Sequence, residues 1–158
     1  MKIVVISDTH GYFNNCLEFL ETVDYDKVVH LGDCVEDAED ISYIIEKELI
    51  YIAGNNDYNS MAPLHRIVEV SGIRVLLTHG HLESVKRSKY KRLYETAISN
   101  DIDIVLYGHT HIFDDFNYKG VRMLNPGSPT YPNNGLATIG LLEINEDGNC
   151  IYERIELN

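Results

Sequence analysis

Five apolar runs in this chain each end on residues that can hold a metal ion. Asp8-Thr9-His10 follows KIVVIS, Asp33 follows KVVHLG, and Asn55 follows LIYIAG; further on, His79-Gly80-His81 follows IRVLLT and His109-Thr110-His111 follows DIVLYG. In open α/β sheets ligands bind at the carboxyl ends of strands, so five such blocks would converge on one place. Asp8/His10 and His109/His111 are i, i+2 pairs, which an extended backbone turns to the same side, so each pair can aim two side chains at one point. Gly32, Gly54 and Gly108 stand directly before Asp33, Asn55 and His109. A residue without Cβ there lets backbone approach an ion or a phosphate.

A donor set made only of His, Asp and Asn suits borderline divalent ions: Mn²⁺ first, with Ni²⁺, Fe²⁺, Zn²⁺ or Co²⁺ as alternatives. It is too large for one tetrahedral zinc. It fits two ions roughly 3.5 to 4 Å apart that share a carboxylate and a water. Any one of these residues alone has an ordinary reading, a hydrogen-bonded structural histidine or an Asp capping a helix. Five blocks in order, each at a strand end, reverse that reading.

The elements that must position them follow from hydrophobic period. KIVVIS (2–7), KVVHLG (27–32) and LIYIAG (49–54) are nearly continuous apolar segments, the pattern of strands buried on both faces. Between them Phe13, Cys16, Leu17 and Leu20, then Ile41, Ile44 and Ile45, recur at helical spacing, giving a βαβαβ start. IVEV and IRVLLTHG read as a hairpin around Ser71-Gly72. Tyr90, Leu93, Tyr94, Ala97 and Ile98 give a third helical stripe before the strand at 103–108. After His111 the chain reads as strands without helices between them, around Lys119-Gly120 and Asp147-Gly148. The expected fold is α/β: two packed β-sheets flanked by helices, an αββα sandwich, with residues 1–158 as one domain. NPGSPTYPNNG (125–135) reads as a surface loop.

Composition limits the partners. The chain has 158 residues, with 25 acidic against 13 basic side chains and a formal net charge of -12. Such a surface repels polyanions, so long nucleic acid is an unfavourable partner. The apolar stretch at the N-terminus is too short for a signal peptide, and no run approaches transmembrane length. Cys16, Cys34 and Cys150 are odd in number and widely spaced, which argues for reduced thiols and a cytoplasmic location. His30 lies inside a strand and is expected to be a buried partner, His65 to lie on the surface, and Cys34 to pack.

DTH, GD, GNND, HGH and GHTH, in that order, resemble the signature of the calcineurin-like metallophosphoesterase superfamily, and the short chain is similar to its small bacterial and archaeal phosphodiesterase branch. That branch also includes the retromer subunit built on this fold. The resemblance covers nearly the whole chain, and NPGS at 125–128 is shared with the branch. It implies one metal held by Asp8, His10 and His111, the other by Asn55, His79 and His109, with Asp33 bridging.

Many members of the superfamily have a histidine after the GN of the third block, thought to protonate the leaving oxygen. Here that position is Asn56, and an amide cannot give up a proton near neutral pH. His81 is the nearest replacement in sequence; Asp57 is expected to brace the loop. The expected chemistry is attack of a metal-bound hydroxide on a small phosphodiester with a good leaving group. The alternatives are a non-catalytic protein-binding scaffold of the same fold and a phosphomonoesterase or protein phosphatase. Lys86, Arg87, Lys89, Lys91 and Arg92 form the dense basic patch of an otherwise acidic chain, read either as a solvated helix face paired with nearby Glu or as a device for phosphate steering or subunit contact. A homo-oligomer is compatible with the sequence.

Overall fold

Ile3 and Val5 belong to one buried cluster and Val4 and Ile6 to another, so the first strand has no solvent face. That is why its sequence is continuously apolar rather than alternating. The computed structural model describes residues 1–158 and repeats this logic in each central strand.

The first half begins β1 (Lys2–Ile6), α1 (Asn14–Thr22), β2 (Lys27–His30), α2 (Val35–Ile44) and β3 (Glu48–Tyr51). A hairpin of β4 (His65–Val70) and β5 (Ile73–Thr78) leads to α3 (Val85–Ser88), α4 (Tyr90–Ile98) and β6 (Ile104–Tyr107). Four strands without intervening helices complete the chain: β7 (Phe113–Tyr118), β8 (Val121–Pro126), β9 (Thr138–Ile144) and β10 (Cys150–Glu156).

The strands form two five-stranded sheets, ordered β10-β9-β1-β2-β3 and β4-β5-β6-β8-β7. In each, three adjacent strands run parallel (β1, β2 and β3, with β3 at the edge; β5, β6 and β8), and antiparallel strands complete the sheet. Between the sheets lies the main core, including Leu31, Ile52, Leu77, Leu106, Leu124 and Leu142. Outside one sheet, Cys16 and Leu20 of α1 and Ile41 of α2 cover Val4, Ile6 and Val28. Outside the other, Leu93 and Ala97 of α4 cover Leu76, Val105 and Met123. Each buried Leu, Ile, Val or Met among them contributes roughly 1.5–3 kcal/mol, so the strand ends are held by a rigid frame. The αββα sandwich expected from the sequence is the fold observed. No helix is long and apolar enough to cross a membrane.

Two expectations need correction. The stripe at 90–98 is preceded by a separate short helix, and the break between them is Lys89, whose backbone (φ 48, ψ -120) no helix can accommodate. The segment 125–135 is not simply a surface loop, because Asn125, Pro126, Gly127, Ser128 and Pro129 are all buried. The hairpin at Ser71-Gly72 is as expected, with both residues left-handed (φ 51 and 77), as a two-residue turn between right-twisted strands requires.

Candidate metal centre

The blocks that follow β1, β2 and β6 leave extended backbone at once. Asp8 (φ 59), His10 (φ 50), Asp33 (φ 58), His109 (φ 67) and His111 (φ 58) are all left-handed. This conformation is uncommon outside glycine, costs on the order of 1–3 kcal/mol per residue, and concentrates at functional sites. Convergence of the i, i+2 pairs is therefore produced by tight left-handed turns, not by the extended strand expected above. Asp8 and His10 do share a target; His109 and His111 divide between two.

Two groups of donor atoms result, each within 4.8 Å of one another: Asp8, His10 and His111, and Asp33, His79 and His109. In the first, His111 Nε2 lies 3.2 Å from Asp8 Oδ1 and 3.4 Å from His10 Nε2. In the second, His79 Nε2 lies 3.4 Å from Asp33 Oδ1 and 3.1 Å from Asn55 Oδ1. Asp33 turns its other oxygen toward the first group, with Oδ2 3.9 Å from His10 Nε2. Both groups draw on both sheets, the carboxylates from the β1 and β2 ends and His79, His109 and His111 from the β5 and β6 ends.

The second nitrogen of two rings is fixed by backbone. His79 Nδ1–H donates to the Leu31 carbonyl at 2.8 Å and His111 Nδ1–H to the Tyr131 carbonyl at 2.7 Å. Each Nε2 is thus the nitrogen presented to the centre, as in metal-ligating histidines generally. Asp8 Oδ1 is buried and makes no hydrogen bond, while Oδ2 accepts from Ser7 Oγ at 2.6 Å and the His109 amide at 2.9 Å. A buried, unpartnered carboxylate oxygen facing imidazole nitrogens is a place for a cation.

Charges respond accordingly. Burial alone would raise the Asp8 carboxyl, but contact with His111 and the charge of His79 more than offset it and hold it below the usual range. Asp33 behaves in the same way, with burial outweighed by His79 and by donation from the Asn56 amide. Burial would lower His79, but Asp33 and Asp8 raise it; Asp8 likewise raises His111. His109, half-buried and beside His79 and Lys86, is pushed down to about 4.

The remaining expected residues hold this geometry. Asp57 is a brace: Oδ2 accepts from the Asp33 and Gly54 amides (2.9 and 2.6 Å), and Oδ1 from those of Cys34 and Val35 (3.0 and 2.8 Å). It fixes the Asp33 turn and caps α2 from a distant loop. His30 is buried as expected, accepting from the Gly32 amide at 3.2 Å and pairing with Thr9 Oγ1 at 3.1 Å; burial pushes it down to about 4. Cys34 is half-buried, and burial pushes its thiol up to about 11. His65 is exposed, as expected, and its Nε2 lies 2.7 Å from buried Glu83.

Two of the three glycines make room for side chains of the centre, and the third, Gly32, for the backbone of Ala53 and Gly54. A Cβ on Gly54 would lie 2.2 Å from Asp33 Oδ1, and one on Gly108 would lie 2.0 Å from Ser7 Oγ and 2.8 Å from Asp8 Oδ2. Sequence reading missed the 125–133 clasp: Ser128 Oγ donates to the Asp8 carbonyl (2.8 Å), and the Asn133 amide to that of His111 (3.1 Å). Its only signal was NPGS.

On the open side, Asn56 is exposed but tied to the centre, its amide N–H donating to Asp33 Oδ1 at 2.9 Å and its Nδ2 to Oδ2 at 2.7 Å. The His81 ring lies 5.4 Å from that of His79 and 6.3 Å from that of His109, and its Nδ1 is buried without a partner. Burial, then His79, holds His81 below its ordinary value. The basic patch spans α3 and the start of α4. None of its members forms an ion pair, contrary to the expected Glu partners; Arg92 donates only to Ser84 Oγ, at 3.1 Å.

The family model of the calcineurin-like phosphoesterase superfamily domain matches residues 1–147. A probable metallophosphoesterase of Mycoplasma pneumoniae is 32% identical over 135 residues, 84% of this chain and 82% of that one. A phosphodiesterase of Methanocaldococcus jannaschii is 29% identical over 170 residues, covering 90% of this chain and 93% of its own. Among solved structures, Entamoeba histolytica Vps29 complexed with Zn²⁺ superposes with a TM-score of 0.80 at 25% identity, over 100% of both chains. With the match running from the first strand through β9, the chain belongs to the calcineurin-like phosphoesterase superfamily.

Proposed function

We propose that the protein is a dinuclear-metal phosphodiesterase acting on small substrates with good leaving groups. The observation that carries this reading is the pair of donor groups joined through Asp33, with a buried, unpartnered Asp8 oxygen between imidazoles. Asp8, His10 and His111 would hold one ion and Asn55, His79 and His109 the other, with Asp33 shared. Mn²⁺ is the first candidate, with Ni²⁺, Fe²⁺, Zn²⁺ and Co²⁺ behind it. Bound there, such ions supply a nucleophile from water at neutral pH and offset charge on the phosphoryl oxygens.

The chain's own residues do the positioning. The Leu31 and Tyr131 carbonyls hold His79 and His111 in the ligating tautomer, and Asp57 and Ser128 fix the turns that carry Asp33 and Asp8. Asn56 is bonded to the shared carboxylate and cannot protonate a leaving oxygen. Substrates that depart as stable anions are therefore favoured. A diester carries one charge fewer than a monoester, and the five motif blocks contain no arginine to offset the extra charge. The Methanocaldococcus jannaschii relative is itself a phosphodiesterase. Three unpaired thiols fit a reducing, cytoplasmic setting.

The Vps29 likeness favours a second reading, a protein-binding scaffold. Because that protein also takes Zn²⁺, metal binding alone does not separate the two; turnover does. Aryl diesters and aryl monoesters assayed side by side, with Mn²⁺ and after chelation, give the test. Metal-dependent diester hydrolysis that falls steeply as the leaving phenol becomes less acidic is expected. Faster monoester turnover would assign a phosphatase, and metal uptake without turnover a scaffold. Positioned general acids contribute on the order of 10² to 10⁴ in rate, so Asn56→His should speed alkyl diesters far more than p-nitrophenyl ones. Leaving-group dependence that is shallow in wild type but steep in His81→Ala would instead make His81 the acid.

A further inference from the structure

A cavity of about 290 Å³ opens between the α3–α4 junction and the turn from β6 into β7. Thr110 forms part of its wall, and Thr110 stands between His109 and His111, one from each donor group. The turn that carries two of the proposed ligands therefore also walls the cavity. Its volume is at the small end for ligand sites, enough for one ring system.

The lining combines rigid aromatic walls with two unused polar groups. Val85, Tyr90, Ile112 and Phe113 supply the apolar surface. Two of these rings are locked from behind: Tyr90 stacks on Phe116 at 4.8 Å, and Phe113 on Tyr152 at 5.1 Å. Ile112 is 43% exposed at the mouth, although it is aliphatic. Asp114 Oδ2 accepts both the Tyr90 and Tyr107 hydroxyls at 2.6 Å, which fixes the carboxylate and leaves Oδ1 with no donor from the protein. Lys89, with no carboxylate partner, is held in the cavity wall by its irregular backbone between the two helices.

An aromatic slot with one fixed acceptor and one cationic donor matches the edge of a planar heterocycle that carries an exocyclic amine and a ring acceptor. We infer that this cleft is a specificity subsite for the retained arm of the substrate, and that the arm is an amine-bearing nucleobase of a small nucleoside phosphodiester. The inference rests on the phosphodiesterase reading above. A single nucleotide also agrees with a chain whose net charge of -12 disfavours long nucleic acid.

The test holds the chemistry constant and varies only the arm. Methyl p-nitrophenyl phosphate and the p-nitrophenyl esters of uridine and adenosine 5′-monophosphate all release p-nitrophenolate. Stacking of a base on fixed aromatic side chains predicts a KM for the adenosine ester about tenfold or more below that of the methyl ester, with the uridine ester between them. In Asp114→Asn the adenosine and uridine esters should converge. Should that variant lose the Tyr90–Tyr107 anchor and misfold, Ile112→Asp at the exposed mouth should still bring the adenosine-to-methyl kcat/KM ratio toward one. As an independent readout, adenosine 5′-monophosphate added to the metal-free protein should shift the Val85 and Ile112 methyl resonances, and methyl phosphate should not. Equal KM for all three esters, or shifts only at other methyls, overturns the subsite. Shifts at these methyls without turnover of any ester would overturn the diesterase reading while retaining the cleft as a nucleotide site.

Discussion

The two donor groups are built from the same residue types but differ in depth. In the Asp33 group His79 has a fully buried side chain, Asp33 is 3% exposed and His109 is half-buried. In the Asp8 group Asp8 is fully buried, but both histidines are open, His10 at 23% and His111 at 16%. Their anchors differ too: His79 is oriented by Leu31, a core residue directly after β2, and His111 by Tyr131, in the irregular 125–135 segment. Charge attraction is stronger and ligand motion smaller in the buried group. The deeper group is therefore expected to bind its ion more tightly and exchange it more slowly, which leaves the outer ion as the one that responds to conditions.

The largest departure from that asymmetry should come from Asp33, which turns one oxygen to each group, with Oδ1 3.4 Å from His79 Nε2 and Oδ2 3.9 Å from His10 Nε2. Asp33→Asn is expected to weaken both ions together, visible as loss of both steps in a calorimetric Mn²⁺ titration. Gly54→Ala should do nearly the same without altering a ligand. Its Cβ would lie 2.2 Å from Asp33 Oδ1 and 2.5 Å from the Asp33 backbone nitrogen, and backbone cannot move aside cheaply. Misplacing a ligand by its supporting contacts costs about 10- to 100-fold in affinity or activity. Two full-strength steps in Asp33→Asn would remove its bridging role and the basis for treating the groups as coupled.

Smaller, one-sided effects should follow from residues confined to one group. Asn55 Oδ1 lies 3.1 Å from His79 Nε2 and is expected to serve only the inner ion. His10 is expected to serve the outer one. Asn55→Ala should lower the tighter calorimetric step and leave the weaker one, and His10→Ala the reverse, each by about tenfold or more. If His10→Ala weakens the tighter step instead, burial does not rank the two sites.

The sequence made the frame readable because strands buried on both faces must be continuously apolar, as in KIVVIS and DIVLYG. It made the candidate donors readable because His, Asp and Asn at strand ends are few and chemically distinctive. What it concealed are contacts between distant segments. Asp57 takes the amide of Asp33 24 residues away, and Ser128 reaches the Asp8 carbonyl across 120. Neither interaction leaves a periodicity or a spacing. The left-handed turns were hidden for a related reason: Asp and His tolerate that conformation without requiring it, so only the assembled site reveals why five of them adopt it. The glycines carried a readable signal to which the structure adds detail: Gly54 and Gly108 leave space for the Asp33 and Asp8 carboxylates, and Gly32 for the backbone of Gly54.

Lys86 offers the mildest test, because its charge reaches His109 in the inner group and His111 in the outer one. A field felt by both groups should not distinguish them. Neither Lys86 nor Arg87 forms an ion pair, and both are exposed, so their charge is available to an approaching anion but is screened by salt. Neutralising both as Lys86→Gln and Arg87→Gln is expected to raise KM for a diester about two- to fivefold and flatten its dependence on ionic strength, with kcat nearly unchanged, since steering acts on encounter rather than on the reacting atoms. The two metal affinities should keep their ratio. A change in that ratio would mean that the patch favours one group and that depth is not the sole source of asymmetry. An unchanged KM at low salt would reduce the patch to a solvated helix face.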